Sequence, residues 1–150
     1  MATLHWTYKS FNELTTIELY AIMQQRNEVF VVEQNCVYQD ADNKDRQSFH
    51  LAGWYNDILV ACCRILPPQL SFEEASIGRV LTAAAYRKTG AGRALMQRAV
   101  DATLQQFNCR EITISAQLYL QNFYQSLGFT PISDTYLEDG IPHIEMRFTA

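Results

Sequence analysis

Residues 86–96, Tyr-Arg-Lys-Thr-Gly-Ala-Gly-Arg-Ala-Leu-Met, hold the densest set of groups able to do chemistry in this chain. Gly90 and Gly92 permit backbone angles and close approaches that a Cβ would block, so several N–H groups can point into one concavity. Arg87, Lys88 and Arg93 add cations. A helix starting here adds a positive end equivalent to roughly half a charge. Together, the segment Arg87, Lys88, Thr89, Gly90, Ala91, Gly92, Arg93 describes a cradle for an anion such as a pyrophosphate. An ordinary strand-to-helix turn has the same spacing, so both readings stand on spacing alone. Two other phosphate motifs fit less well. A Walker loop needs Gly-Lys-Ser/Thr, and Gly92-Arg93-Ala94 stands there instead. A dinucleotide fingerprint needs a third glycine where Leu95 stands, and an acid after the next strand, which ends in Ala116-Gln117.

Such a loop needs a strand before it and a helix after it. Residues 76–82 supply an apolar strand, and 90–107 a helix whose Leu95, Ala99, Val100, Leu104 and Phe107 share one face, with Arg93, Gln97, Arg98 and Asp101 on the other. Residues 111–117 alternate as a strand, and a right-handed crossover places it parallel to 76–82. Residues 118–127 form a short helix stopped by Gly128. Toward the N-terminus, a strand at 4–8 precedes a capping box, Thr15-Thr16-Ile17-Glu18, and a helix to about Glu28 with the stripe Leu19, Ile22, Met23. Residues 35–48 are polar and acid-rich and are expected to be an exposed loop; the glycine and closing glutamate of an EF-hand are missing. Two hairpins complete the order, 50–55 with 58–66 about Asn56-Asp57, and 129–136 with 142–148 about residues 138–141. The expected class is α/β: a mixed sheet, antiparallel at its edges, with helices on both faces.

At 150 residues the chain fits one domain. A hydrophobic content of 48% with 12% aromatics argues against disorder, and no apolar run approaches the ~20 residues of a membrane span. A net charge of −4 gives no general attraction to nucleic acid or anionic lipid. The first residues show no secretory signal, so a cytoplasmic location is expected. Cys36, Cys62, Cys63 and Cys109 follow no metal spacing; idle thiols in a reducing compartment are expected, and no metal. The oligomeric state is open, although edge hairpins in such a sheet often find a partner, a homodimer being one such association.

Val80-Leu81-Thr82, then Arg87 to Gly92, then 122–129 (Asn-Phe-Tyr-Gln-Ser-Leu-Gly-Phe) resemble, in this order, the general N-acetyltransferase (GNAT) superfamily across nearly the whole chain. Arg26 with 29–34, Tyr38-Gln39-Asp40, 77–80 and 139–144 resemble its ElaA-like subgroup. The resemblance implies the acyl-CoA N-acyltransferase fold, with about seven mostly antiparallel strands, a central splayed parallel pair and about four helices. It also implies an acyl-CoA donor, usually acetyl-CoA, and an amine acceptor. Backbone at Val80, Leu81 and Thr82 would pair with the pantetheine arm, the loop Lys88 to Arg93 would hold the pyrophosphate, and Asn122 would bind the CoA arm.

An amine attacks a thioester only when neutral, so a site must remove a proton and then protonate or stabilise the departing thiolate. The resemblance puts Tyr124 near the sulfur as general acid. Family members often use a glutamate acting through water, yet 76–82 contains no acid, so that assignment does not carry over. His143, which titrates near neutrality in its ordinary state, and Glu33, at the end of the first helical region, are the candidate bases. Arg26 and Arg79 could orient a substrate carboxylate or pair internally with Glu33, and the internal pair is the expected role. The function expected is direct acetyl transfer to a primary amine of a small molecule or peptide; the alternative is an acyl-CoA-binding sensor or interaction module without turnover.

Overall fold

The architecture described here is that of a computed structural model, which describes residues 3–150. Among the described residues, eight strands form two four-stranded sheets. The first has the order β1 (His5–Ser10), β2 (Phe49–Tyr55), β3 (Ile58–Leu66), β4 (Ser76–Thr82), all antiparallel. In the second, β8 (Ile141–Thr149) pairs antiparallel with β5 (Glu111–Gln117), β6 (Phe129–Pro131) and β7 (Tyr136–Glu138). A single parallel bridge, Ala75 to Ile112, joins the sheets, with the Thr113 N–H donating to the Ala75 carbonyl at 3.0 Å. Beyond it β4 and β5 part, as the splayed pair requires. No helix among the described residues is long and apolar enough to cross a membrane.

Period-2 alternation gives the first sheet two apolar faces. Leu51, Cys63, Ile65 and Ile77 join one cluster with Leu95, Met96 and Ala99 of α2 (Ala91–Phe107). Ala52, Cys62 and Leu81 join another with Ile22 of α1 (Thr16–Arg26) and Val29 beyond it. The helix start at Thr15 is as expected: its side chain accepts from the Glu18 N–H at 3.0 Å, and Glu18 answers on the Thr15 N–H at 2.8 Å. Residues 27–33 then continue α1 as a wider π-helical segment, where the sequence left the continuation open. α3 (Gln121–Ser126) follows one tighter turn at Leu118–Leu120 and precedes Gly128 at φ 101°. The second hairpin turns on Asp139 and Gly140, both left-handed at φ 51° and 77°, the geometry of a type I′ turn. Its first arm, expected as one strand over 129–136, is two short strands, because 132–135 leave the ladder between β6 and β7.

Residues 35–48 are not the solvated loop that their polarity suggested. Asp40 and Asp45 are buried, and their carboxylates converge with that of Asp42 on three arginines. Arg26, 1% exposed, donates to Asp40 at 2.8 Å and to Asp45 at 2.6 Å. Arg64 of β3 donates to both oxygens of Asp42 at 2.7 and 2.6 Å and to Asp45 at 3.0 Å. Arg79 of β4 donates to Asp40 at 2.8 Å. The expected pairing of Arg26 or Arg79 with Glu33 is therefore wrong: buried guanidinia need several acceptors each, and three aspartates of one loop supply them.

Burial pushes the Asp42 and Asp45 carboxyls up, but hydrogen bonds and charge from Arg64 and Arg26 outweigh it and leave both below the ordinary range. With folded values depressed, their contribution to stability is present above the unfolded carboxylate pKa near ~4 and is lost as pH falls through the folded values. Asp40→Ala removes one carboxylate acceptor from each of Arg26 and Arg79, and the expected loss is about 3–5 kcal/mol by urea denaturation at neutral pH. A loss under ~1 kcal/mol would show that the loop does not anchor the fold.

Candidate active site

The register of β3 against β4 pairs Arg64 with Gly78 and Cys62 with Leu81, so Arg79 and Val80 together oppose one residue of β3. That is a β-bulge, with Arg79 in the left-handed region at φ 49°. The bulge turns β4 out of line with β5, and the Arg79 ion pairs hold it there. The backbone of β4 facing β5 is thereby left without a strand partner over its C-terminal half.

Between the strands lies a cleft of about 650 Å³. One end is formed by the turn into α2. Lys88 (φ 63°) and Gly90 (φ 88°) are left-handed, and the first bond of α2 runs from the Ala94 N–H to the Gly90 carbonyl. The N–H groups of Ala91, Gly92 and Arg93 therefore have no partner within the helix, the arrangement that binds anions at helix starts. A Cβ on Gly92 would lie 3.2 Å from the Thr82 hydroxyl, tight enough that the Thr82 side chain would have to give by a few tenths of an ångström. An unpaired strand edge leading to an anion cradle suits a pantetheine arm followed by a pyrophosphate.

Of the residues singled out from the sequence, Glu33, Val80, Leu81, Thr82, Arg87 and Lys88 line this cleft. So do Gly90, Gly92, Arg93, Tyr124 and His143. Thr89, Ala91 and Asn122 do not: Thr89 donates to the Tyr86 carbonyl at 2.6 Å, Ala91 packs in the core, and Asn122 lies exposed on α3. Arg93 spans to α3, donating to the Ser126 hydroxyl at 2.9 Å and stacking over Phe123.

Glu33 and Arg87 are joined by two hydrogen bonds of 2.7 and 2.9 Å, linking the π-helical segment to the anion loop. Arg87 holds the Glu33 carboxyl below its ordinary range, outweighing a small effect of burial. Tyr124 is buried between Phe123 and Phe129, and burial pushes its phenol well above the ordinary value. None of the side-chain hydrogen bonds among the described residues uses its hydroxyl, although the residue lines the cleft. His143 is also buried. Its Nδ1 lies 2.7 Å from the Ile141 carbonyl oxygen, which can only accept, so Nδ1 carries the hydrogen and Nε2 presents a lone pair when the ring is neutral.

The sequence matches the Acetyltransferase (GNAT) domain over residues 18–150. The chain belongs to the GNAT superfamily. Within it, the ElaA-like subgroup is the right one: protein ElaA of Escherichia coli (strain K12) is 43% identical over 145 residues, covering 95% of each chain. The crystal structure of Escherichia coli ElaA superposes with a TM-score of 0.91 at 42% identity, covering 97% of this chain and 99% of that one. An acyl-CoA N-acyltransferase from Pseudomonas aeruginosa superposes at 0.93, also 42% identical, over 98% and 100%. This GNAT protein is accordingly an acyl-CoA-dependent acyltransferase by family and fold.

Several cleft residues were not singled out from the sequence. Phe30, Ser115, Gln117, Tyr119 and Phe123 face it, as does Glu138, which was noted only as a turn residue. The signal for Glu138 was present: a two-residue turn at 139–140 pairs 138 with 141 and 136 with 143, which brings Tyr136 and Glu138 to the His143 side of the hairpin. Cys62 and Cys63 face opposite clusters, and burial pushes Cys62 up to about 12 and Cys63 well above its ordinary value, so neither is an activated nucleophile.

Removing one side of the Glu33–Arg87 pair isolates its effect. In Arg87→Ala the Glu33 carboxyl is expected to rise toward its ordinary pKa, followed by carboxyl NMR titration, while stability changes by less than about 1 kcal/mol because the pair is substantially exposed. An unmoved Glu33 titration would show that the pair does not form in solution.

Proposed function

We infer that the protein transfers an acetyl group from acetyl-CoA directly to a primary amine. The observation that carries this reading is the Tyr124 hydroxyl, left without a protein partner on a buried residue at the wall of a cleft whose far end is an anion cradle. CoA binding alone does not require it. The family description favours acetyl as the acyl group.

In this reading the loop from Lys88 to Arg93 and the free edge of β4 hold the donor, with its thioester between β4 and β5. His143 is the better base of the two candidates. The residue lines the cleft and its Nε2 has no backbone partner, whereas Glu33 is engaged by Arg87, and a carboxylate with a depressed pKa is a weaker proton acceptor. The acceptor enters as an ammonium. His143 takes one proton and passes it to solvent; the neutral nitrogen forms the new N–C bond as the C–S bond breaks. Tyr124 delivers a proton to the departing sulfur, and the second proton of the nitrogen replaces it. One proton is released per turnover. A phenol pushed up by burial stays protonated until the sulfur leaves, as this role requires.

Thiol release from acetyl-CoA across a panel of amines tests the reading. Tyr124→Phe is expected to lower kcat about 100-fold with CoA affinity and folding retained, within the range of a positioned general acid. CoA binding without turnover on any amine would favour the acyl-CoA sensor instead.

A further inference from the structure

The Glu138 side chain is about half exposed, 49%, yet both of its carboxylate oxygens have neighbours on the second sheet. It folds back over the second sheet, where Oε1 accepts from the Ser115 hydroxyl of β5 at 3.2 Å and Oε2 stands 3.4 Å from Nε2 of His143 on β8. The Tyr136 ring stacks on the imidazole, 6.2 Å between centroids and 24° between planes, so the ring orientation is held from β7 as well. With Nδ1 committed to the Ile141 carbonyl, a neutral His143 and an ionised Glu138 present two acceptors to each other with no hydrogen between them. In that state the two acceptors can both receive hydrogens from one ligand group placed between them.

The surroundings define which donor. Gln117 stands across from His143 on β5, and Cys36 and Asp139 border the same part of the cleft, with the Cys36 thiol donating to the Asp139 carbonyl at 3.3 Å. The nearby guanidinia are engaged: Arg79 by Asp40 and Arg87 by Glu33. Lys88 and Arg93 belong to the anion loop. This wall therefore offers acceptors and negative charge, which suit a cation with several N–H groups on one atom.

We propose that Glu138 and His143 Nε2 together form the docking site for the acceptor, and that the acceptor is a primary alkylammonium ion rather than a neutral aromatic or weakly basic amine. This rests on the acyltransferase reading for its role in turnover, although the binding site itself does not. One N–H donates to the Glu138 carboxylate and another to Nε2. The Glu138 carboxylate fixes the charged end of the acceptor, and Nε2 receives the proton that must leave before attack. Glu138 is in this way a specificity residue for the reaction.

The test follows the His143 Cε1–H resonance by NMR in the intact protein saturated with CoA, on addition of n-butylammonium chloride or, as a neutral control, n-butanol. The resonance is expected to shift with butylammonium and not with butanol. Glu138→Gln is expected to weaken the apparent affinity at least about tenfold, and Glu138→Asp, which keeps the charge, to recover part of it. No shift with butylammonium, an equal shift with butanol, or unchanged affinity in Glu138→Gln would each overturn the proposal. Thiol release from acetyl-CoA, measured in separate samples without added CoA across the amine panel, separates the two readings: ammonium binding with no thiol release on any amine removes the transferase reading and keeps the site, while thiol release with unchanged affinity in Glu138→Gln does the reverse. Where turnover is measured, Glu138→Gln lowers kcat/KM for butylamine at least about tenfold more than for aniline, a split that a merely structural role for Glu138 would not produce.

Discussion

Charge that cannot be left unpaired organises this molecule. Arg26, Arg64 and Arg79 come from α1, β3 and β4, three elements distant in the chain, and their guanidinia meet between helix and sheet. A guanidinium removed from water without acceptors is prohibitively costly, so the loop carrying Asp40, Asp42 and Asp45 is drawn in to meet them. Arg79 is the member with consequences for function. Its left-handed backbone makes the bulge in β4, the bulge turns β4 away from β5, and that divergence opens the cleft. Charge pairing on one face of a strand thus supports a binding groove along its edge.

The cleft is chemically divided along its length. At the end of β4, backbone N–H groups of a helix start and the cations Lys88 and Arg93 favour anions. On the side formed by the β7–β8 hairpin, carboxylate, carbonyl and imidazole acceptors predominate. The two walls thus carry opposite electrostatic character, the one suited to anions and the other to hydrogen-bond donors and cations. Glu33 and Arg87 sit at the boundary and neutralise each other there, so neither dominates the field on either side.

Elements governed by neighbouring residues were legible in the chain. The capping box at Thr15, the apolar face of α2 and the hairpin turns at 56–57 and 139–140 depend on backbone preferences and spacing over a few residues. The strand-to-helix turn before α2 was legible for the same reason. Asn122 was not placed well, since a helix position of six residues can face cleft or solvent with a small rotation, and here it faces solvent. The acidic loop misled because composition reports polarity, not partners: Asp40 and Asp45 look like solvated charges until three arginines are brought to them.

The sequence by itself determined the family, through motifs spread along nearly the whole chain, and the strand–loop–helix unit of 76–107, where local geometry is enough. Tertiary structure alone decided the rest. Which arginine meets which aspartate, that Glu33 is held by Arg87, and that Glu138 turns back to His143 are outcomes of distant elements packing together. The physical reason is range: hydrogen bonds to backbone at turns and caps act between near neighbours, whereas side-chain charge and burial depend on everything the fold brings within a few ångströms.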